Sequence, residues 1–193
     1  MRAMMRLLAL SIMGLVGSVG VAEAQFNVCP GAYALCTTAA CKLTPVPGVL
    51  ECVCTVNQGY SVGKGTQAQC PKEGGSTIPS RYFPITSYQV CQSKPTSQHP
   101  WADCLDVPCT VDPNNKTIAR CGCRTVDKET YEGSPSYPWL VATGQVSHDL
   151  CTDTTIYSSA TTAGSQAITK TFNAYVKATP PAEISIPTAL QMP

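Results

Sequence analysis

Cysteine spacing constrains this chain more than any other feature. Twelve cysteines lie in 193 residues, and eight of them form two copies of one pattern. Cys36, Cys41, Cys52 and Cys54 read C-x4-C-x10-C-x-C, while Cys104, Cys109, Cys121 and Cys123 read C-x4-C-x11-C-x-C. The offset is 68 positions for the first two members and 69 for the last two, so one inserted residue accounts for the difference. Cys29 and Cys91 each precede a core, and Cys70 and Cys151 each follow one. Flanking matches extend the likeness: Ala34-Leu35-Cys36 faces Ala102-Asp103-Cys104, and Ser76-Thr77-Ile78 faces Thr154-Thr155-Ile156. Self-similarity at a fixed offset predicts repeated structural units. The expected fold is small, disulfide-rich and mainly β. It consists of two tandem six-cysteine modules, at residues 25–80 and 81–158, with short hairpins, and a C-terminal helix with an extended tail at 159–193.

Residues 1–24 read as a secretory signal peptide. Arg2 and Arg6 precede an apolar run from Leu7 to Val21, and Ala22-Glu23-Ala24 supplies a small-x-small cleavage pattern. The run is shorter than the ~20 residues of a spanning helix, and no later stretch approaches that length, so no membrane span is expected after its removal. The expected location is secreted or periplasmic. An even cysteine count behind an export signal fits structural disulfides. Zinc is the competing use, but C-x2-C pairs are absent and only His99 and His148 could contribute imidazole. No metal and no cofactor is expected.

The formal net charge is +1, and the basic residues are scattered. Phosphate binding needs concentrated positive charge, so nucleic acid is excluded as a partner. Three Phe and two Trp leave little large apolar material for a core. Disulfides would offset that shortage, at ~2–4 kcal/mol each.

Each C-x-C is preceded by a hairpin signal. Lys42-Leu43-Thr44, the turn Pro45–Gly48 and a strand from Val49 to Val56 form the first; Cys109–Val111, Asp112–Asn115 and Thr117–Val126 form the second. Alternation puts Leu50, Cys52, Cys54 and Val56 on one face, and likewise Cys121 and Cys123. Two such cysteines cannot easily bond each other, so each must reach a different partner. Residues 25–41 are rich in small side chains and admit a helical turn. Residues 57–65 and 72–79 read as loops, 81–90 as an edge or broken strand because of Pro84, and Leu140-Val141-Ala142 as a strand. Ile168, Phe172, Tyr175 and Val176 form a helical stripe, expected to pack on the second module. Pro180-Pro181 would end that helix.

The order C, C-x4-C, x10, C-x-C, then Gly59-Tyr60 and a final Cys70 resembles the epidermal-growth-factor-like module. The likeness covers residues 29–70 better than 91–151, where the last gap is long. What the resemblance implies is bonding of Cys29 to Cys41, Cys36 to Cys52 and Cys54 to Cys70, and in the second copy of Cys91 to Cys109, Cys104 to Cys121 and Cys123 to Cys151. The acidic calcium signature of that family is absent before Cys29 and Cys91.

Several motifs carry little chemistry. Gly59-Tyr60-Ser61-Val62-Gly63 matches G-x-S-x-G, but a nucleophile elbow needs a strand, a sharp turn and a helix. His99 and His148 have acids nearby in sequence, Asp103 and Asp149, yet read as exposed loop residues. Asn115-Lys116-Thr117 is an N-glycosylation acceptor on a hairpin tip. The binding signal lies in Tyr131, Tyr137 and Trp139, on the longer loop that follows the second C-x-C. Loop aromatics there could form a platform for a protein or glycan ligand. The sequence therefore points to a secreted, non-enzymatic binding or adhesion protein. An inhibitor of a secreted hydrolase, presenting the loop from Arg124 to Tyr137, is one alternative, and a small exported enzyme using Ser61 or His148 is another.

Overall fold

Two hairpins form the centre of the fold, and their local chemistry explains them. A computed structural model describes residues 26–66, 70, 75–83, 88–92, 100–126, 138–142 and 154–179; for 88–92, 138–142 and 162–163 it describes the backbone only. In the first hairpin, β3 (Ala40–Leu43) returns as β4 (Val49–Gln58) through a turn that ends at Gly48, whose φ of 75° suits glycine. In the second, β9 (Pro108–Val111) returns as β10 (Ile118–Val126). There the Asp112 carboxylate accepts from the Asn114 and Asn115 backbone N–H groups at 2.8 and 3.2 Å.

Each hairpin's first arm begins earlier, after an interruption. Preceding β3 is β2 (Ala32–Leu35), and preceding β9 is β8 (Trp101–Asp103). The four-residue breaks, Cys36–Ala39 and Cys104–Val107, each contain a residue in the left-handed region: Thr38 at φ 53° and Asp106 at φ 59°. Residues 26–41, part of the stretch expected to admit a helical turn, instead form a strand at Phe26–Cys29, β2 and the start of β3, with a turn at Thr37 and Thr38. Backbone pairing across the chain prevailed over small-residue composition, which has no period of its own.

The remaining strands are β1 (Phe26–Cys29), β5 (Ser61–Lys64), β6 (Thr77–Arg81), β7 (Tyr88–Gln92), β11 (Pro138–Ala142), β12 (Ile156–Tyr157) and β13 (Ala160–Thr161). Two stretches expected as loops thus contain strands, β5 and β6, because each finds a partner far away in sequence. The register of these pairings occurs twice. Leu35 faces Thr55 as Asp103 faces Arg124, and Cys41 faces Cys52 as Cys109 faces Cys121. Cys29 faces Ser61 as Cys91 faces Trp139. Ala34 runs parallel to Ser80 as Ala102 does to Ser158.

Two strands cross between the halves. β6 pairs antiparallel with β9, placing Ile78 opposite Cys109, and β12 pairs with β3, placing Ile156 opposite Cys41. The central strands β4 and β10 are also antiparallel, with Cys52 directly opposite Cys121. The hydrogen-bonded path β4–β2–β6–β9–β10 returns to β4, so this sheet closes on itself. On its outer face Glu51 and Arg120, which hold the same place in the two hairpins, form a salt bridge of 3.4 Å. Lys42 joins Glu51 from the other side at 3.3 Å.

The interior of this sheet is made largely of sulfur. Of fourteen buried members of the main core, eight are half-cystines; Leu50 and Ile78 are the largest aliphatic members. Five disulfides occur among the described residues: Cys29–Cys70, Cys36–Cys54, Cys41–Cys52, Cys104–Cys123 and Cys109–Cys121. Each C-x-C sends its two sulfurs to different partners, as alternation requires. The bonds are nested, unlike those that the growth-factor-like spacing implies: Cys29 bonds Cys70 rather than Cys41, Cys36 bonds Cys54 rather than Cys52, and Cys104 bonds Cys123 rather than Cys121. Register is the reason, because the hairpins set Cys41 against Cys52 and Cys109 against Cys121. The side chain of Cys91 and all of Cys151 lie outside the described residues.

A second core holds the helix. α1 (Thr162–Ala178) begins at Thr161, whose hydroxyl accepts from the Gly164 N–H at 2.8 Å. Its stripe is the expected one, with Ile168 and Phe172 almost fully buried. Part of the surface it covers lies in the second module, at Tyr82, Phe83 and Leu105, and part in the first, at Val28, Tyr60 and Val62. Phe83 meets Phe172 edge-on with ring centroids 5.2 Å apart, and Tyr60 meets Tyr175 at 5.7 Å. Pro180 and Pro181 lie outside the described residues. Among the described residues, no helix is long and apolar enough to cross a membrane.

Candidate functional site

Of the aromatic residues singled out for binding, Tyr131 and Tyr137 lie outside the described residues. Trp139 is described through its backbone, which in β11 pairs with Cys91 on one side and Thr161 on the other. His99 and His148 also lie outside the described residues. Ser61 opens β5, is 2% exposed, and its hydroxyl donates to the Cys29 carbonyl at 3.5 Å. β5 leads into Gly65 rather than a helix, so this G-x-S-x-G lacks the geometry of an elbow. Asn115 sits exposed in the β9–β10 turn, where its side-chain oxygen accepts from the Thr117 hydroxyl at 2.7 Å.

A polar cluster that the sequence did not mark lies where β1, β5 and β6 meet the second interruption. Arg81 ends β6 with its side chain 3% exposed, and it pairs with Asp106 at 3.2 Å. Its other terminal nitrogen donates to the Asn27 side-chain oxygen at 2.8 Å and the Asn27 carbonyl at 3.2 Å. The Asp106 carboxylate also accepts from the Lys64 N–H at 2.5 Å. Asp106 can reach both because of its left-handed backbone, a conformation that aspartate tolerates better than most residues. The backbone is fixed there by the Asp106 N–H donating to the Ser80 carbonyl at 3.0 Å.

Gly63 makes the cluster possible. A Cβ at this position would lie 2.3 Å from the Asp106 carboxylate and 2.4 Å from the Arg81 guanidinium. The second glycine of the G-x-S-x-G match is thus a close-approach glycine, and its signal was present in the sequence without being distinguishable from a loop glycine.

Burial governs the electrostatics. It raises the pKa of Asp106 above the ordinary carboxylate value, against the opposing effects of the Lys64 N–H and the Arg81 charge. It also lowers that of Arg81, with Asp106 acting in the other direction. In both groups desolvation outweighs attraction, the ordinary balance for an ion pair removed from water. Next to Arg81, the Tyr82 phenol is pushed well above its usual value, chiefly by burial, and donates to the Ser159 carbonyl at 3.1 Å.

The cluster can hold parts together but has little to offer a ligand. Both Arg81 terminal nitrogens are engaged, its buried Nε has no partner among the described residues, and each Asp106 carboxylate oxygen accepts one bond, from Arg81 or from the Lys64 N–H. It ties β1, β5 and β6 of the first half to the interruption of the second. In the other half the same places are held by Gln89, Val141, Ser159 and Thr38, a set with no charge. Among the described residues, the sulfur groups close enough for a metal are Cys36, Cys54 and Cys121, and Cys52, Cys104 and Cys123. All six are committed to disulfides. Such bonding accords with an oxidising compartment.

No family model, curated protein or solved structure matches this chain.

Proposed function

We propose that the chain is an exported, non-enzymatic binding or adhesion protein, cleaved after Ala24 and built from two copies of a six-cysteine unit. A protein or glycan ligand would be taken by the loop after the second C-x-C, with Tyr131, Tyr137 and Trp139 as contact residues. The observation that carries this reading is the sulfur-filled interior. Eight half-cystines occupy the centre of the closed sheet, which makes its shape independent of the loops that leave it. Rigid frames of this kind suit recognition by variable loops. The twofold recurrence of strand register supports descent from one unit, and the disulfides support an exported location. The reading does not depend on kinship with growth-factor-like modules, whose implied bonds differ from those found.

The test is retention of the mature protein on glycan and peptide arrays, compared with Trp139→Ala and Tyr137→Ala. Binding by the parent and loss in either variant, with unchanged thermal unfolding, supports the proposal. Stoichiometric inhibition of a secreted hydrolase, or turnover abolished by His148→Ala, would replace it.

A further inference from the structure

The disulfides of the main core touch one another across the boundary between the halves. The sulfurs of Cys36 and Cys121 are 3.5 Å apart, although Cys36 is bonded to Cys54 and Cys121 to Cys109. Cys54 completes a group of three sulfurs that all lie within 4.8 Å of one another. Cys52, Cys104 and Cys123 form the matching group, in which Cys104 is bonded to Cys123 and Cys52 to Cys41. In each group one sulfur comes from the opposite half. All six cysteines are at most 1% exposed.

Thiol–disulfide exchange requires a thiolate to reach a disulfide sulfur, and here the distance is already one of van der Waals contact. We propose that the core is an exchange relay that converts bonds within the halves into a bond between them. A dithiol reductant opens Cys109–Cys121 and is itself oxidised to a disulfide, so that two electrons enter the protein. The Cys121 thiolate then attacks Cys36. The Cys36–Cys121 bond forms as Cys36–Cys54 breaks, and the electron pair leaves on Cys54, which takes up the proton lost by Cys121. This second step changes the number of disulfides by nothing. In the matching group, opening of Cys41–Cys52 lets Cys52 attack Cys104 and release Cys123.

The consequence is a change in how the halves are joined. Every disulfide among the described residues lies within one half, whereas β4–β10, β6–β9 and β12–β3 are hydrogen-bonded. One reducing event would add a covalent link across the β4–β10 boundary. The seven opposed residue pairs of β4 and β10 keep the sulfurs in reach while it happens. The attacking species is a thiolate, so the step quickens as pH rises.

Cys109→Ser in the full chain tests the relay without any reductant, because it leaves Cys121 beside an intact Cys36–Cys54 bond. The protein is incubated at set pH, quenched in acid, denatured, alkylated and mapped by mass spectrometry. The expected products are a Cys36–Cys121 linked peptide and alkylation of Cys54, forming about tenfold faster per pH unit below the thiol pKa. Selectivity for that linkage is lost when the incubation is carried out in denaturant. Alkylation confined to Cys121, or a Cys54–Cys121 link with Cys36 alkylated, overturns the proposal. If Cys109→Ser does not fold, Cys41→Ser and the parent treated with substoichiometric dithiothreitol give the same reading. Cys52–Cys104 is expected in Cys41→Ser, and either cross-half link in the treated parent; absence of both overturns the relay.

Discussion

The two halves share a strand register but differ in what fills one corner. In the first, Asn27, Gly63 and Arg81 gather around Asp106, which belongs to the second half. In the second, Gln89, Val141 and Ser159 hold the corresponding register positions, and Thr38 of the first half holds that of Asp106. The comparison separates frame from ornament. Both interruptions keep a left-handed residue whose N–H donates to a crossing strand, Thr38 to Ser158 at 3.2 Å and Asp106 to Ser80 at 3.0 Å. Only one of them has acquired an ion pair. The backbone pattern therefore works without the charge, and the charge adds a tie between the sheet and the β1–β5 pair.

The largest test asks whether the halves are equal where they look equal. Cys41→Ala/Cys52→Ala and Cys109→Ala/Cys121→Ala should each lose about 5 kcal/mol in denaturant unfolding, the upper end for a disulfide, because the same sulfurs also pack the core. A difference between the two losses of more than about 2 kcal/mol would mean that shared register does not carry shared energetics.

Next come substitutions where the halves differ. Arg81→Met leaves the Asp106 carboxylate half-buried without its cation and should cost about 3 kcal/mol, while Ser159→Ala at the matching place should cost less than about 1 kcal/mol. The double variant Arg81→Met/Asp106→Asn should cost less than the sum of its parts, since it leaves no stranded charge. Equal losses for Arg81→Met and Ser159→Ala would remove the ion pair from the account. Gly63→Ala forces the carboxylate and guanidinium aside and should cost about 2 kcal/mol, measured by the same unfolding curves.

The smallest effect is in pH. A carboxyl whose folded pKa is raised binds its proton more tightly in the folded chain than in the unfolded one. Its contribution to stability is complete below the unfolded value of about 3.9 and is lost as pH rises through the folded value. The parent should therefore lose stability relative to Asp106→Asn on going from about pH 3 to about pH 6. A relative gain over that window would show that Arg81 attraction, not burial, sets the titration.

What could be read from the sequence was local. Pro45–Gly48 and Asp112–Asn115 announce their turns, the C-x-C alternation places four sulfurs inside, and Ile168 with Phe172 marks the helix face. The distant pairings were not legible. Thr77–Arg81 has a proline in its middle and no alternation, and it becomes a strand only because β2 and β9 both present open edges to it. Ser61–Lys64 is a strand by virtue of β1, more than thirty residues earlier. Nothing in the sequence singles out Arg81, and nothing near it points to Asp106. The disulfide pattern failed for a related reason: spacing along the chain does not encode register, and register chooses the partner.

Glu51 and Arg120 occupy one place in two hairpins, meet diagonally across the central pair of strands and carry opposite signs. With the same residue at both places, like charges would meet there instead. Neither half now presents the surface that a copy of itself would need. The acid and the base at this position make the arrangement monogamous, each half fitted to an unlike partner.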